Sequence, residues 1–192
     1  MHKGLQILKM LKKYKFYHRD IKTSNFVFSK DLQNLKLIDF GSSNNLKGEM
    51  YKEHRVFGTS FFAAPEIDWY LIRNLRVKTH YNFFHADLYS FGITILHILF
   101  PLADPEQLCS FADQIYWKKL YPTLLERINI LLDPIPNKRE KIFKKVKLDK
   151  VCSLSEFYDH LKEMSMFHLD KDKKTKTKKK LSPRCFPAWN GF

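Results

Sequence analysis

The sequence has few cysteines, no long apolar run and fewer acidic than basic residues. Its three cysteines (Cys109, Cys152 and Cys185) are far apart and have no metal-ligand spacing, which argues against a disulfide framework and against a zinc site. Such cysteine usage is typical of a reducing intracellular compartment. The longest apolar run, residues 91–100, is about half of a membrane span, so it favours a buried helix and we expect no membrane span.

Acidic residues are too few to balance the basic ones, and the formal net charge is +14. Residues 171–180 carry seven lysines against one aspartate, a net of +6, and residues 138–150 carry seven bases against two acids, a net of +5. The 171–180 run is typical either of a nuclear-import signal or a patch for nucleic acid or acidic lipid, or of a solvated tail. No aromatic residue interrupts it, which favours the solvated tail. We expect residues 169–192 to be a basic, disordered tail of a protein in the cytoplasm or nucleus, with the lysines favouring the nucleus.

Hydrophobic residues make up 44% of the 192 residues, with 17 Phe and 9 Tyr, enough for a globular core. Short apolar runs at 26–28 and 35–38, separated by turn residues, predict a β-hairpin. A long loop is expected over 42–63, and a loop insertion over 70–84. Apolar periodicity predicts helices over residues 3–16, from near 65, and over 86–100, 108–119, 121–132 and 155–166.

Two motifs carry residues suited to phosphoryl transfer. The stretch H-R-D-I-K-T-S-N has its acid at Asp20 and ends at Asn25, and D-F-G begins at Asp39, fourteen residues later. Phosphoryl transfer needs one carboxylate to accept a hydroxyl proton, and an amide and a second carboxylate to hold magnesium against phosphates. The residue types, order and spacing therefore fit that chemistry.

These motifs resemble the protein kinase family, in which H-R-D-I-K-T-S-N matches the catalytic loop and D-F-G the magnesium motif. Ala64-Pro65-Glu66 follows, where the family ends its substrate-docking segment. The resemblance covers roughly residues 3–165 and implies a mainly α fold. That fold is the kinase C-terminal lobe, a helical bundle with a small β-hairpin carrying the catalytic and magnesium loops. We expect this partial kinase domain to span residues 1–168.

The resemblance implies a serine/threonine kinase that transfers the γ-phosphoryl group of ATP to a protein hydroxyl, with ATP and Mg²⁺ as cofactors. Asp20 matches the catalytic base, and Lys22 matches the lysine that contacts the transferred phosphoryl group. Asn25 and Asp39 match the magnesium ligands, because hard cations prefer oxygen donors. The ATP-binding residues would be Lys22, Asn25, Asp39 and Val27, with Val27 in the adenine floor.

Other matched positions imply positioning or structural roles. Thr59, in the substrate-docking segment, matches a threonine that bonds the catalytic base and lysine. Glu66 is expected to pair with a buried Arg139, and Asp87 to hold the catalytic-loop backbone, although its 21-residue distance from Glu66 is longer than usual. The structural set is completed by His18 and Phe40, as members of an internal hydrophobic column, and by Arg19 and Gly41.

Arg19 raises a regulatory question, because kinases with arginine beside the catalytic acid often use an acidic or phosphorylated partner. Two alternatives stay open: Glu53 or Glu49 is a permanent partner, or no such switch exists.

The matched residues include no Gly-rich loop, no third-strand lysine and no helix bearing the glutamate partner of that lysine, so we expect the kinase N-lobe to be missing from this chain. We expect the isolated chain to show little kinase activity. The alternative is a non-catalytic kinase-like binding module, or a half-kinase completed by a partner chain or segment that supplies an N-lobe. A nucleic-acid partner is not expected, since only the net charge points to one.

Overall fold

The computed structural model describes residues 1–30, 33–45, 54–72, 76–77, 83–101 and 121–148. The helices predicted at 108–119 and 155–166, the domain end at 168 and the tail lie outside these residues. The architecture is mainly α, as predicted, with short two-stranded ladders. Among the described residues, no helix is long and apolar enough to cross a bilayer.

Helix α1 (His2–Lys13) directs three leucines into the core. Leu5, Leu8 and Leu11 recur every three residues and are almost completely buried. The helix ends earlier than the predicted residue 16, because Lys15 has a left-handed φ of 59°. The next residues pair as strand β1 (Phe16–Tyr17) instead.

Three antiparallel ladders connect the loops around the motifs. Strand β1 pairs with β4 (Asn44–Asn45), and β2 (Phe26–Phe28) pairs with β3 (Leu35–Leu37) in the predicted hairpin. Phe26 lies opposite Leu37, and Val27 lies opposite Lys36. Strand β5 (His54–Arg55) pairs with β6 (Arg76–Val77).

The prediction of a loop over 70–84 was wrong in part. Helix α2 (Pro65–Ile72) continues into this span, β6 lies within it, and helix α3 (Phe83–Leu99) begins three residues before the predicted start. Phe83 and Phe84 are 4% and 2% exposed, so their burial accounts for the earlier start of α3. The long loop predicted at 42–63 likewise contains β4, β5 and a 3₁₀ turn at Ser60–Phe62.

Helix α3 is the centre of the core, and its C-terminal end agrees with the prediction. Helix α4 (Pro122–Leu131), predicted at 121–132, packs against it with Pro122 in the first turn. A 3₁₀ helix (Pro136–Lys141) and the short helix α5 (Ile142–Lys145) close the same side. The core side chains from these elements, and from Val146 directly after α5, are Phe84, Leu88, Phe91, Ile95, Leu96, Leu125, Ile128, Leu131, Ile142 and Val146.

Candidate active site

The backbone before Asp20 is held by a carboxylate of α3. The amides of His18 and Arg19 donate to Asp87 over 2.8 and 2.9 Å, and Arg19 has a left-handed φ of 66°. Burial raises the pKa of Asp87 to about 7. The two backbone hydrogen bonds lower this pKa, but their effect is smaller than that of burial. Asp87 therefore fixes an unfavourable backbone turn immediately before Asp20.

His18 is completely buried and has a defined tautomer. Its Nε2 lies 3.0 Å from the carbonyl of Ile38, which only accepts, so Nε2 carries the hydrogen and donates. Its Nδ1 accepts from the amide of Asp20 at 3.3 Å. Burial lowers the pKa of His18, in agreement with a neutral ring. The ring connects the Asp20 loop to the residue before Asp39.

Asp20, Lys22 and Thr59 form a closed polar triangle. The Lys22 ammonium lies 2.7 Å from Asp20 Oδ2 and donates to Thr59 Oγ1 over 3.0 Å. The Thr59 hydroxyl in turn donates to Asp20 Oδ1 over 2.9 Å. The side chains of Lys22 and Asp20 keep 24% and 14% exposure, so the acid stays accessible from one side. Two side chains from separate segments, Lys22 and Thr59, thus orient the Asp20 carboxylate.

Asn25 braces the loop that carries Asp20. It is 5% exposed, and its Nδ2 donates to the backbone oxygen of Asp20 over 2.8 Å, with Asp20 Oδ2 at 3.5 Å. With the amide nitrogen used in this way, its oxygen is the atom suited to a cation.

Asp39 has a left-handed backbone, with φ of 64°, and its Oδ1 accepts from the amide of Gly41 over 3.4 Å. The ring of Phe40 contacts that of His18 edge to face, with centroids 4.8 Å apart. Gly41 has little room for a side chain, since a Cβ there would lie 3.3 Å from Asp39 Oδ1. The D-F-G segment is thus joined to the Asp20 loop through His18.

The predicted magnesium ligands, Asp39 and Asn25, both carry oxygen donors. Among the described residues, no three His, Cys, Asp or Glu side chains form a metal cluster. Mg²⁺ commonly uses one or two carboxylates and takes its remaining ligands from water and phosphate oxygens. Asp39 offers one carboxylate and Asn25 one amide oxygen, which is compatible with such an ion.

Glu66 and Arg139 lie in a second cluster, away from the polar triangle. The guanidinium binds both carboxylate oxygens, at 2.5 and 2.9 Å, and also donates to the backbone oxygens of His85 and Asp133. Arg139 is completely buried, and its guanidinium lies 4.9 Å from the Tyr89 ring centroid. The pair ties the start of α2 to the 3₁₀ helix after α4.

The predicted adenine contact, Val27, lies on the open face of the hairpin. Val27 is 44% exposed and its neighbour Phe28 is 54% exposed, whereas Phe26 packs on Phe91 with ring centroids 5.7 Å apart. The hairpin therefore presents apolar surface beside the catalytic loop.

Arg19 shows contacts that sequence reasoning missed. Its Nε donates to the backbone oxygen of Ser42 over 2.5 Å, and its guanidinium lies over the rings of Phe57 and Phe83. Burial lowers the pKa of Arg19, and the negative charge of Asp87 offsets part of this decrease. The contact uses the backbone carbonyl of Ser42, which no sequence motif marks, so nothing in the sequence indicated that Ser42 binds Arg19. The two acids proposed as partners, at 49 and 53, lie outside the described residues.

A cleft of about 340 Å³, including its open mouth, borders Asp20. Its lining includes Gly58, Thr59, Phe62 and Ala63 of the predicted docking segment and Asp87 and Ser90 of α3. The cleft brings the predicted substrate-docking segment next to the candidate base.

The sequence profile of the protein kinase domain matches residues 1–107. The chain belongs to the protein kinase family. Its mostly helical architecture is that of a kinase-like helical lobe, as predicted. The described structure continues beyond the match, since α4 and α5 contribute to the same core.

Three of the curated relatives are named serine/threonine kinases. A probable LRR receptor-like serine/threonine-protein kinase of Arabidopsis thaliana is 40% identical over 98 residues, which is 50% of this chain and 9% of the relative. The serine/threonine-protein kinase cst-1 of Caenorhabditis elegans is 40% identical over 96 residues, 50% of this chain and 17% of the relative. The serine/threonine-protein kinase sid1 of Schizosaccharomyces pombe is 36% identical over 81 residues, 42% of this chain and 15% of the relative. The chain thus spans less than a fifth of each of these relatives.

Proposed function

We propose that this chain is the catalytic lobe of a serine/threonine protein kinase, which transfers the γ-phosphoryl group of ATP to a protein hydroxyl. The observation that carries the proposal is the Asp20–Lys22–Thr59 triangle, with Asn25 bracing the same loop. A carboxylate so oriented is suited to accept the proton of an attacking hydroxyl. Its location in the cytoplasm or nucleus is part of the proposal and is supported by the cysteine usage.

Lys22 is placed to stabilise the charge that develops on the transferred phosphoryl group, since its ammonium lies beside the base. Thr59 keeps base and lysine together while the docking segment presents the substrate hydroxyl. Asp39 and Asn25 would hold Mg²⁺, which neutralises phosphate charge when ATP is bound. Val27 would cover one face of the adenine. A preceding segment or partner chain would supply the Gly-rich loop and lysine that cover ATP.

The test is phosphate transfer from Mg²⁺-ATP to serine- and threonine-containing peptides by the whole protein made from its own transcript. We expect transfer that falls by at least about 100-fold in Asp20→Asn, because the base is lost. Glu126→Gln is the matched control, since Glu126 is an exposed acid on α4 that bonds only to Lys145 among the described residues. Unchanged transfer in Asp20→Asn, or none by any form of the protein, would refute the proposal.

The second candidate is a kinase-like module that binds a protein partner without catalysis. The exposed Val27 and Phe28 favour it, because exposed apolar side chains beside the catalytic loop are suited to a covering partner. Calorimetry with Mg²⁺-ATP separates the two candidates. Binding that weakens in Asp39→Asn supports the kinase, whereas a whole protein that binds no nucleotide supports the module.

A further inference from the structure

A row of lysines covers the outer side of the segment after α4. From residue 137 to 147 every exposed side chain is a lysine, apart from Asn137. We call this set the lysine stripe; it consists of Lys138, Lys141, Lys144, Lys145 and Lys147. The intervening Arg139, Ile142 and Val146 are buried, so the segment has one buried and one cationic side.

Local geometry aligns the stripe. In a 3₁₀ helix the side chains at i and i+3 eclipse one another, which places Lys138 and Lys141 in one row. Lys144 and Lys145 continue this row, because side chains three and four positions apart on an α-helix are neighbours. The stripe extends roughly 15 Å from Lys138 to Lys147. Its charges therefore act together on any facing anion.

Among the residues that the structure describes, most of the positive charge of the lysine stripe is not paired with a carboxylate. Glu140 is held by Lys12 of α1 and by His85 Nε2 at 2.7 Å, and Glu126 bonds to Lys145 at 2.7 Å. Burial would raise the pKa of Glu140, but the hydrogen bonds and charges of Lys12 and His85 outweigh it and lower the pKa. Within the described part of the chain, no carboxylate lies within ion-pair distance of Lys138, Lys141, Lys144 or Lys147.

Two features favour a lipid surface over a nucleic acid. Ile135 is 46% exposed and shares a turn with Lys138, whose amide donates to its carbonyl over 3.0 Å. An exposed aliphatic side chain beside lysines suits the headgroup region of an anionic bilayer. Between residues 135 and 147 the single arginine is buried and no aromatic ring is exposed, so base stacking and bidentate phosphate contacts have no surface residue to make them.

We propose that the lysine stripe, with Ile135 at its end, docks this chain on an anionic bilayer surface. The stripe's ammonium groups approach the lipid phosphates and carboxylates, and Ile135 enters the headgroup layer. The candidate active site is built from other residues, so docking and phosphoryl transfer are separable.

The experiment is co-sedimentation of the full chain with vesicles of phosphatidylcholine alone or mixed with phosphatidylserine. We expect binding to the mixed vesicles only, and less binding as salt is raised. Changing Lys138, Lys141, Lys144 and Lys147 to Gln is expected to weaken binding by at least about tenfold. The control changes Lys173, Lys174, Lys178 and Lys179 to Gln, which removes the same charge from the 171–180 run, and is expected to keep most of the binding.

Equal losses in the stripe variant and the control, or a loss only in the control, would overturn the proposal, because net charge or the tail would then be responsible. Ile135→Ser keeps every charge and is expected to weaken vesicle binding without changing the affinity for duplex DNA. A chain that binds duplex DNA through the stripe but does not bind the mixed vesicles would also overturn it, in favour of nucleic acid.

Discussion

At the residue scale, the Thr59 hydroxyl is the contact that joins the docking segment to the candidate base. It donates to Asp20 and accepts from Lys22, so its removal would free both side chains to reorient. We expect Thr59→Ala to lower kcat by roughly tenfold or more, with a smaller change in KM, because misplacing a catalytic group costs rate. Steady-state kinetics of the whole protein measure both constants.

Thr59→Ser is the matched variant, because it keeps the hydroxyl and loses only a methyl group. It should retain most of the turnover. If Ser and Ala lowered kcat equally, the hydrogen bonds of Thr59 would have no part in positioning Asp20.

The Glu66–Arg139 pair predicts a large effect on stability rather than on chemistry. Glu66→Ala leaves a completely buried guanidinium without its carboxylate, which costs about 3–5 kcal/mol of unfolding free energy. Urea unfolding measures this change. The comparison is Glu126→Ala, which breaks the exposed pair with Lys145, whose side chains are 52% and 55% exposed, and should leave the midpoint unchanged. Similar midpoints for the two variants would contradict the structural role of Glu66.

At the element scale, α3 holds the catalytic loop through Asp87, and this contact predicts a pH dependence. The pKa of Asp87 is raised from 3.8 to about 7, so between these values the folded state binds more protons than the unfolded state. The contribution of Asp87 to stability is therefore present in full at low pH and is lost as pH rises through this window, by at most about 1.4 kcal/mol per pH unit.

Asp87→Asn removes this titration, so the difference in stability between wild type and variant should narrow as pH rises from about 4 to about 7. Urea unfolding of both proteins at several pH values measures it. His18 titrates in the opposite sense, because burial lowers its pKa, but it is present in both proteins and cancels in the difference. A difference that is constant with pH would show that Asp87 is ionised throughout.

Helices and strands were predictable where apolar residues recur with a clear helical or strand spacing. Residues 26–28 and 35–37 pair in the predicted hairpin, and α4 begins and ends within one residue of its prediction. Boundaries set by single conformations or by burial were missed, such as the left-handed Lys15 that ends α1. A two-residue strand such as Arg76–Val77 is too short to show periodic spacing of apolar residues, and only its pairing with residues 54–55 reveals it.

At the scale of the whole molecule, the folding unit reaches past the family match at residue 107. Leu125, Ile128 and Ile142 lie in the same core as α1 and α3, and Arg139 comes from this later part. We expect a chain ending at residue 120 to lack a cooperative unfolding transition. A chain ending at residue 168, our proposed domain end, should unfold with the midpoint of the full chain. Thermal unfolding followed by circular dichroism tests both.

Equal midpoints for the full chain and the chain ending at 168 would place the 169–192 segment outside the folding unit. A lower midpoint for the shorter chain would instead show that this segment contributes to the fold. Cooperative unfolding of the chain ending at 120 would refute the dependence on α4 and α5.

The sequence by itself indicated the family and the mainly α class and proposed the candidate site residues, because residue types and spacing are covalent properties of the chain. It also paired Glu66 with Arg139 correctly, although only through the family resemblance. Tertiary structure alone decided which groups meet, since the Ser42 and Ile38 contacts use backbone oxygens that every residue has. It also decided that the lysines of 138–147 form one exposed row, because the burial of Arg139, Ile142 and Val146 fixes which side of the segment faces solvent.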